Sequence, residues 1–231
     1  MRYVAARCRP GLQSELGHWL EGSARFSAFL AANQDKVRKK LTTSGDEEAR
    51  LDVRSELRVA HLMLADRRFE LAFEAYGVRQ RGPDLSVAYR TNQRFNLEVT
   101  RLRAAGEADG DDTGSGVARL ANVIVGKLRQ LPGDVPNALL IATHGVGLSE
   151  ESLAAAVRVL KQRGDTKDDV FFARRGLKTA RDFHAQYLRL GGIFVLDEAT
   201  EPGTAIFLAN REARHPLPKE AVAALMACLT A

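Results

Sequence analysis

Asp84 and Glu98 are the side chains whose types and spacing carry chemistry in this sequence of 231 residues. Between them Leu85, Val87 and Tyr89 alternate with Ser86 and Ala88. Phe95, Leu97 and Val99 then alternate with Asn96, Glu98 and Thr100, the period-two pattern of strands. Thr91 to Gln93 supply the turn, so the stretch 82–103 reads as a hairpin. Successive strand side chains point to opposite faces, which puts Asn96, Glu98 and Thr100 opposite the apolar set. Folding about Asn92 brings Asp84, at the mouth of the first arm, to the level of Glu98 and Thr100. Two carboxylates at one sheet edge repel unless a cation lies between them, and hard oxygen donors suit Mg²⁺ or Mn²⁺. No salt-bridge partner stands in register on the hairpin itself.

The elements that must position this pair follow from the flanking patterns. A helix over 46–66 begins at an acidic first turn and carries the stripe Ala49, Val53, Leu57, Ala60 and Leu64, with Glu56 at its border. Phe69, Leu71 and Phe73 alternate with Glu70, Ala72 and Glu74 as a strand over 69–75. Arg79 and Arg81 precede Pro83, where they can meet a phosphate or simply face solvent. After the hairpin, 106–116 is an acidic, glycine-rich loop that lacks the Gly-Lys-Ser/Thr ending of a phosphate-binding loop. Its Asp111-Asp112 pair lacks the closing glutamate of a calcium loop. A helix over 117–131 has the stripe Leu120, Ile124, Leu128 and Leu131, and Lys127 lies at the edge of that inward stripe. The run 137–143 is continuously apolar, the pattern of a strand buried on both faces, with His144 at its end.

Further along, 149–163 and 177–190 read as helices, the second with Leu177, Ala180, His184, Tyr187 and Leu188 inward. The segment 168–172 lies between them, 192–196 and 205–209 read as strands, and 217–229 as a closing helix. At the other end Leu12, Leu16, Trp19, Leu20, Phe26, Phe29 and Leu30 recur at helical spacing. The polar piece 33–41, with Lys36, Arg38, Lys39 and Lys40, reads as a solvated helix face, phosphate contact being the sharper alternative.

Pro83-Asp84, a short hairpin and Glu98-Val99-Thr100 resemble the signature of the PD-(D/E)XK nuclease superfamily, the restriction-endonuclease-like phosphodiesterases. Thr100 stands where that signature has lysine. The resemblance implies an α/β fold with a mixed central sheet flanked by helices over 46–231, behind a helical N-terminal extension over 1–45. It implies Mg²⁺ or Mn²⁺ on Asp84 and Glu98, with Glu56 as a third carboxylate from the first core helix. It also implies that the lysine charge comes from a neighbouring element, for which Lys127 is the candidate, with Thr100 at best placing water. The function implied is a metal-dependent nuclease acting through metal-activated water. The rival is a catalytically silent protein of the same fold that binds nucleic acid or a protein.

Composition bounds these readings. At 45% hydrophobic and 27% charged residues the chain has the make-up of a soluble globular protein, and no apolar run approaches the roughly 20 residues of a membrane span. A formal charge of +5 favours acidic partners such as nucleic acid, DNA or RNA, an arginine-rich composition being the plainer meaning, and the lack of an apolar span argues against a membrane. A homodimer stays open. Cys8 and Cys228 are the two cysteines, which rules out a disulfide framework and a cysteine metal cluster. With no signal-peptide pattern at the N-terminus, the cytoplasm is the expected compartment. A Gly-x-Ser-x-Gly elbow is absent, which argues against an α/β hydrolase.

Overall fold

The computed structural model describes residues 10–43, 46–75, 82–103, 116–199 and 202–231. Arg79, Arg81, Cys8 and the loop 106–115 with Asp111 and Asp112 lie outside the described residues. Four helices come first: α1 (Pro10–Gly22), α2 (Ala24–Ala32), α3 (Gln34–Thr43) and α4 (Glu47–Ala65). The meander β1 (Phe69–Phe73), β2 (Leu85–Tyr89) and β3 (Gln93–Arg101) follows. Helix α5 (Gly116–Lys127) leads to β4 (Asn137–Thr143), and α6 (Glu150–Asp165), α7 (Asp169–Arg174) and α8 (Ala180–Tyr187) lead to β5 (Leu190–Asp197). The chain closes with β6 (Thr204–Ala209) and α9 (Lys219–Leu229).

The six strands form one mixed sheet in chain order, β1 to β6. β1, β2 and β3 are antiparallel, β4 adds to β3 in parallel, β5 to β4 in parallel, and β6 closes antiparallel. Strand alternation sorts the core into two layers. Phe73, Leu85, Val87, Phe95, Leu97 and Val99 pack with the buried faces of the four N-terminal helices and α9. Leu139, Ile141, Ile193 and Val195 point the other way, onto Leu120, Ile124, Leu153, Leu160 and Phe183 of α5, α6 and α8. The sheet is thus sandwiched between helices, the arrangement a strand apolar on both faces requires.

Local chemistry fixes the element ends. Asp46, Ser149, Asp168 and Thr179 each accept the N–H three residues on, capping α4, α6, α7 and α8. The hairpin turn falls one residue earlier than the sequence indicates: Arg90 and Thr91 take left-handed φ of 48° and 67°, uncommon for residues bearing a Cβ. Helix α5 stops at Lys127, where a 3₁₀ turn over Leu128–Gln130 takes over. The helix read over 177–190 shortens to α8. Leu177, Ala180 and Tyr187 are buried as expected, whereas His184 and Leu188, expected inward, are half-exposed and Phe183 fills the buried face in their place. Gly192 of β5 is required by packing, since a Cβ there would lie 2.5 Å from the Phe207 ring. Among the described residues no helix is long and apolar enough to cross a membrane.

Candidate functional site

The β2–β3 ladder stops at Leu85↔Leu97, so Val99 lies two residues beyond its end. Its N–H is therefore left without a ladder acceptor on that side, and Asp84 Oδ2 takes it at 2.9 Å. That bond pins the Asp84 carboxylate beside the strand that carries Glu98. Asp84 is fixed through its backbone as well, its carbonyl accepting from Glu74 N–H at 2.8 Å. Glu98 itself is 1% exposed and faces the α5 layer, as its place opposite Leu97 and Val99 demands. Glu56 reaches the same end of the sheet from the other layer, on α4, at 6% exposure.

Two ammonium groups clamp these carboxylates, one from each layer. Lys127 Nζ donates to Glu98 Oε1 at 2.8 Å from the end of α5. Lys40 Nζ donates to Glu56 Oε2 at 2.7 Å and to Asp84 Oδ1 at 3.0 Å, and lies 3.2 Å from Glu74 Oε1. With its amide nitrogen turned to Glu98, Gln130 of the 3₁₀ turn donates to both carboxylate oxygens, at 2.5 and 3.2 Å.

The charge balance explains the proton affinities. Burial raises Glu98 to about 8, the Asp84 charge adds to it, and Lys127 and Lys40 pull the other way. Burial likewise raises Glu56 well above the carboxylate range, again with Asp84 adding and Lys40 opposing. For Lys40 burial acts downward, and Asp84, Glu56 and Glu74 outweigh it, so the ammonium is held more tightly than an ordinary lysine. Lys127 follows the same logic, with Glu98 its main partner. Glu56, Glu74, Asp84 and Glu98 outnumber the two lysines, and the raised proton affinities of Glu56 and Glu98 offset the difference.

This geometry corrects one expectation. The Lys-rich face of α3 is not simply solvated: Lys36 Nζ donates to the carbonyl of Phe73 at 2.6 Å and of Glu74 at 3.2 Å, while Lys40 enters the acid cluster. The cation partners of the carboxylate pair come from α3 and α5 and not from the hairpin. Lys36 and Lys40, four apart around the fully buried Val37, were the available signal. Glu74 escaped notice because its left-handed φ of 44° ends β1 and frees its side chain from strand alternation. Gln130 carries no such signal, because the apolar stripe of the helix continues past it to Leu131.

The remaining expected residues divide. Thr100 shares the Glu98 face, is half-buried and lines an open cleft of about 410 Å³ with Arg101, Arg103, Arg119, Lys127 and Gln130. Arg101 and Arg103 are engaged by α4, with Arg101 3.0 Å from Glu48 and Arg103 3.2 Å from Asp52. Arg119 keeps one buried guanidinium nitrogen without a hydrogen-bond partner among the described residues. His144 is exposed at the end of β4.

The fit of a divalent ion can be judged from the donors. Among the described residues no group of three or more His, Cys, Asp and Glu side chains stands in a metal-holding arrangement. Where Glu56, Glu74 and Asp84 do converge, the cation is the Lys40 ammonium. The converging donors are oxygens, the type Mg²⁺ and Mn²⁺ take, and the Lys40 ammonium bridges them where no metal-holding arrangement stands. No family model, curated protein or solved structure matches this chain.

Proposed function

We propose that the chain is a metal-dependent phosphodiesterase acting on nucleic acid, DNA or RNA, on a restriction-endonuclease-like scaffold. The observation that carries this reading is the pairing of Lys127 with Glu98, next to Asp84, at a sheet end where Thr100 leaves the strand uncharged. Asp84 and Glu98 would hold Mg²⁺ or Mn²⁺, with Glu56 behind them, and the ion would polarise a phosphoryl oxygen and acidify a bound water. Asp84 is oriented for that task by Val99 N–H, and Glu98 by Lys127 and Gln130. Lys127 is 27% exposed at its side chain, so its ammonium borders the cleft while contacting Glu98. It thereby places a fixed positive charge where phosphate charge would develop. Thr100 offers a hydroxyl beside it, and the partly unpaired Arg119 adds attraction for a phosphate backbone.

The Lys40 ammonium among three carboxylates favours a second reading, a silent nuclease-fold protein whose acid cluster is a structural ion-pair network. Cleavage of single-stranded and duplex DNA and RNA with Mg²⁺, Mn²⁺ or a chelator separates the two. The nuclease reading expects metal-dependent cleavage that Asp84→Asn abolishes, since asparagine keeps an acceptor for Val99 N–H and removes the charge. Nucleic-acid binding without cleavage of any substrate would establish the silent protein instead.

A further inference from the structure

We propose that the cleft between α5, α6 and α7 is a second nucleic-acid contact, which holds the phosphate backbone of a strand as it runs from the Glu98–Lys127 site across α5. The inference rests on the nucleic-acid reading of that site and not on an ion. Arg163 of α6, Arg174 at the end of α7 and Arg175 line this cleft of about 380 Å³, and Asp168 is the acidic residue among them. The cleft beside Lys127 has four cationic lining residues against Asp52. Asn122 of α5 lines both, so the two clefts meet over one helix. Among the described residues, seven cations thus face two carboxylates along one surface, a match for a polyanion.

Local packing places the guanidinium groups before any ligand arrives. Phe171 is held between two of them, with Arg175 Cζ 3.8 Å and Arg163 Cζ 4.3 Å from the ring centroid. Stacking engages the flat face of a guanidinium and leaves its N–H edge for oxygen acceptors, the geometry that suits phosphate. Arg175 Nε also donates to Asn122 Oδ1 at 2.6 Å, tying the residue to the helix the strand would cross. Arg174 is exposed beside them. The floor between the clefts is low: Ala118, Asn122 and Gly126 are spaced by four along α5, and a Cβ on Gly126 would meet no neighbouring heavy atom within 4 Å. From 118 to 126 the helix rises about 12 Å, over which one strand of B-form geometry presents roughly three to four phosphates. Val170, 66% exposed and the one large exposed hydrophobic among the described residues, lines the second cleft and offers a base an apolar contact.

Fluorescence anisotropy of labelled single-stranded and duplex oligonucleotides long enough to span both clefts, titrated in chelator over a series of salt concentrations, tests this without any cleavage. The proteins are wild type, Arg174→Glu, Arg175→Gln, Arg175→Lys and the control Arg90→Gln at the hairpin turn. Wild-type affinity should fall with salt, the log–log slope carrying about 0.7 for each phosphate held on a single strand and about 0.9 on a duplex. Arg174→Glu and Arg175→Gln should each weaken binding by about tenfold at low salt and flatten the slope by roughly one contact. Arg175→Lys should keep the slope and lose affinity, because the charge stays while the stacked fork is gone, and Arg90→Gln should match wild type. If Arg175→Gln folds poorly, Arg174→Glu carries the test, since that side chain is exposed. Wild-type affinity and slope in Arg174→Glu and Arg175→Gln would overturn the second contact and leave the nucleic-acid reading standing. Absence of oligonucleotide binding by wild type would overturn both, and binding of polyglutamate in its place, lost in the same variants, would overturn the proposal in favour of an acidic protein segment.

Discussion

Lys127 Nζ lies 2.8 Å from Glu98 Oε1, and this single ion pair ties the end of α5 to the middle of β3. Glu98 is almost completely buried, so above about pH 8, where it is ionised, removing the ammonium leaves a carboxylate with Gln130 as its remaining side-chain donor. Truncating one partner of a buried pair costs about 3–5 kcal/mol, and the partly exposed lysine places this case at the lower end. At pH 9 Lys127→Ala should lower the urea midpoint accordingly, and Lys127→Met combined with Glu98→Gln should return most of the loss. An unchanged midpoint in the single variant would remove the pair from the stability of the fold.

In the proposed enzyme the same Lys127→Ala substitution should lower turnover by about 10² or more, the scale of losing one preorganised charge. Thr100→Lys should then recover part of the rate, because position 100 shares the Glu98 face and the cleft. Steady-state cleavage rates of the two variants decide the matter. Equal rates for Lys127→Ala and wild type would exclude Lys127 from the reaction.

Glu98 makes stability depend on pH in a defined direction. Its folded-state proton affinity is raised from an ordinary 4.5 to about 8, so the native state holds a proton that the unfolded chain has released. The corresponding stability is complete below about pH 4.5 and is lost as pH rises through about 8. In chelator, the melting temperature of Glu98→Gln should fall less than that of wild type between pH 5 and pH 9. A steeper fall in the variant would contradict the assignment.

Divalent ion should act as a ligand of the folded state alone and raise the melting temperature of wild type in a concentration-dependent way. Asp84→Asn, which keeps the acceptor for Val99 N–H, should lose that increase while melting normally in chelator. An undiminished shift in the variant would place the ion elsewhere.

Asn137 supplies a structural test remote from the ammonium groups. It is fully buried, its amide nitrogen lies 2.8, 2.9 and 3.0 Å from the carbonyls of Pro132, Val135 and Arg189, and its oxygen accepts from Asn96 at 3.1 Å. Asn137→Ala strands those acceptors, which costs about 1–3 kcal/mol for a buried polar group left unsatisfied. Chemical denaturation should show that loss with no change in ion affinity.

The parts of the fold legible in the sequence are those governed by local periodicity. The alternation in 85–89 and 95–100, the apolar run of β4 and the helix over Glu47–Ala65 all signal themselves within a window of a few residues. Asp84, Glu98 and the inward edge position of Lys127 follow from that periodicity. Lys40 and Glu74 do not, because their roles arise only when α3 docks across the end of β1. The hairpin turn was displaced for a related reason: Arg90 and Thr91 accept left-handed backbone without the glycine that marks such turns. Buried Asn96 and Asn137 were likewise unreadable, since nothing local distinguishes an amide spanning two strands from one facing solvent.

The order of the sheet bears on how the chain is made. Strands are numbered β1 to β6 across the sheet as they are along the chain, so no strand must be inserted between two that have already paired. During synthesis the meander β1–β3 can close within one contiguous stretch of chain, and each later strand finds its docking edge already displayed. The slow events are then the two parallel additions, β4 onto β3 and β5 onto β4, each of which waits for its crossover to emerge and must close the longer loop. Until β4 arrives, β3 is an exposed edge bearing Glu98. A charge on an unpaired edge disfavours pairing with another nascent chain.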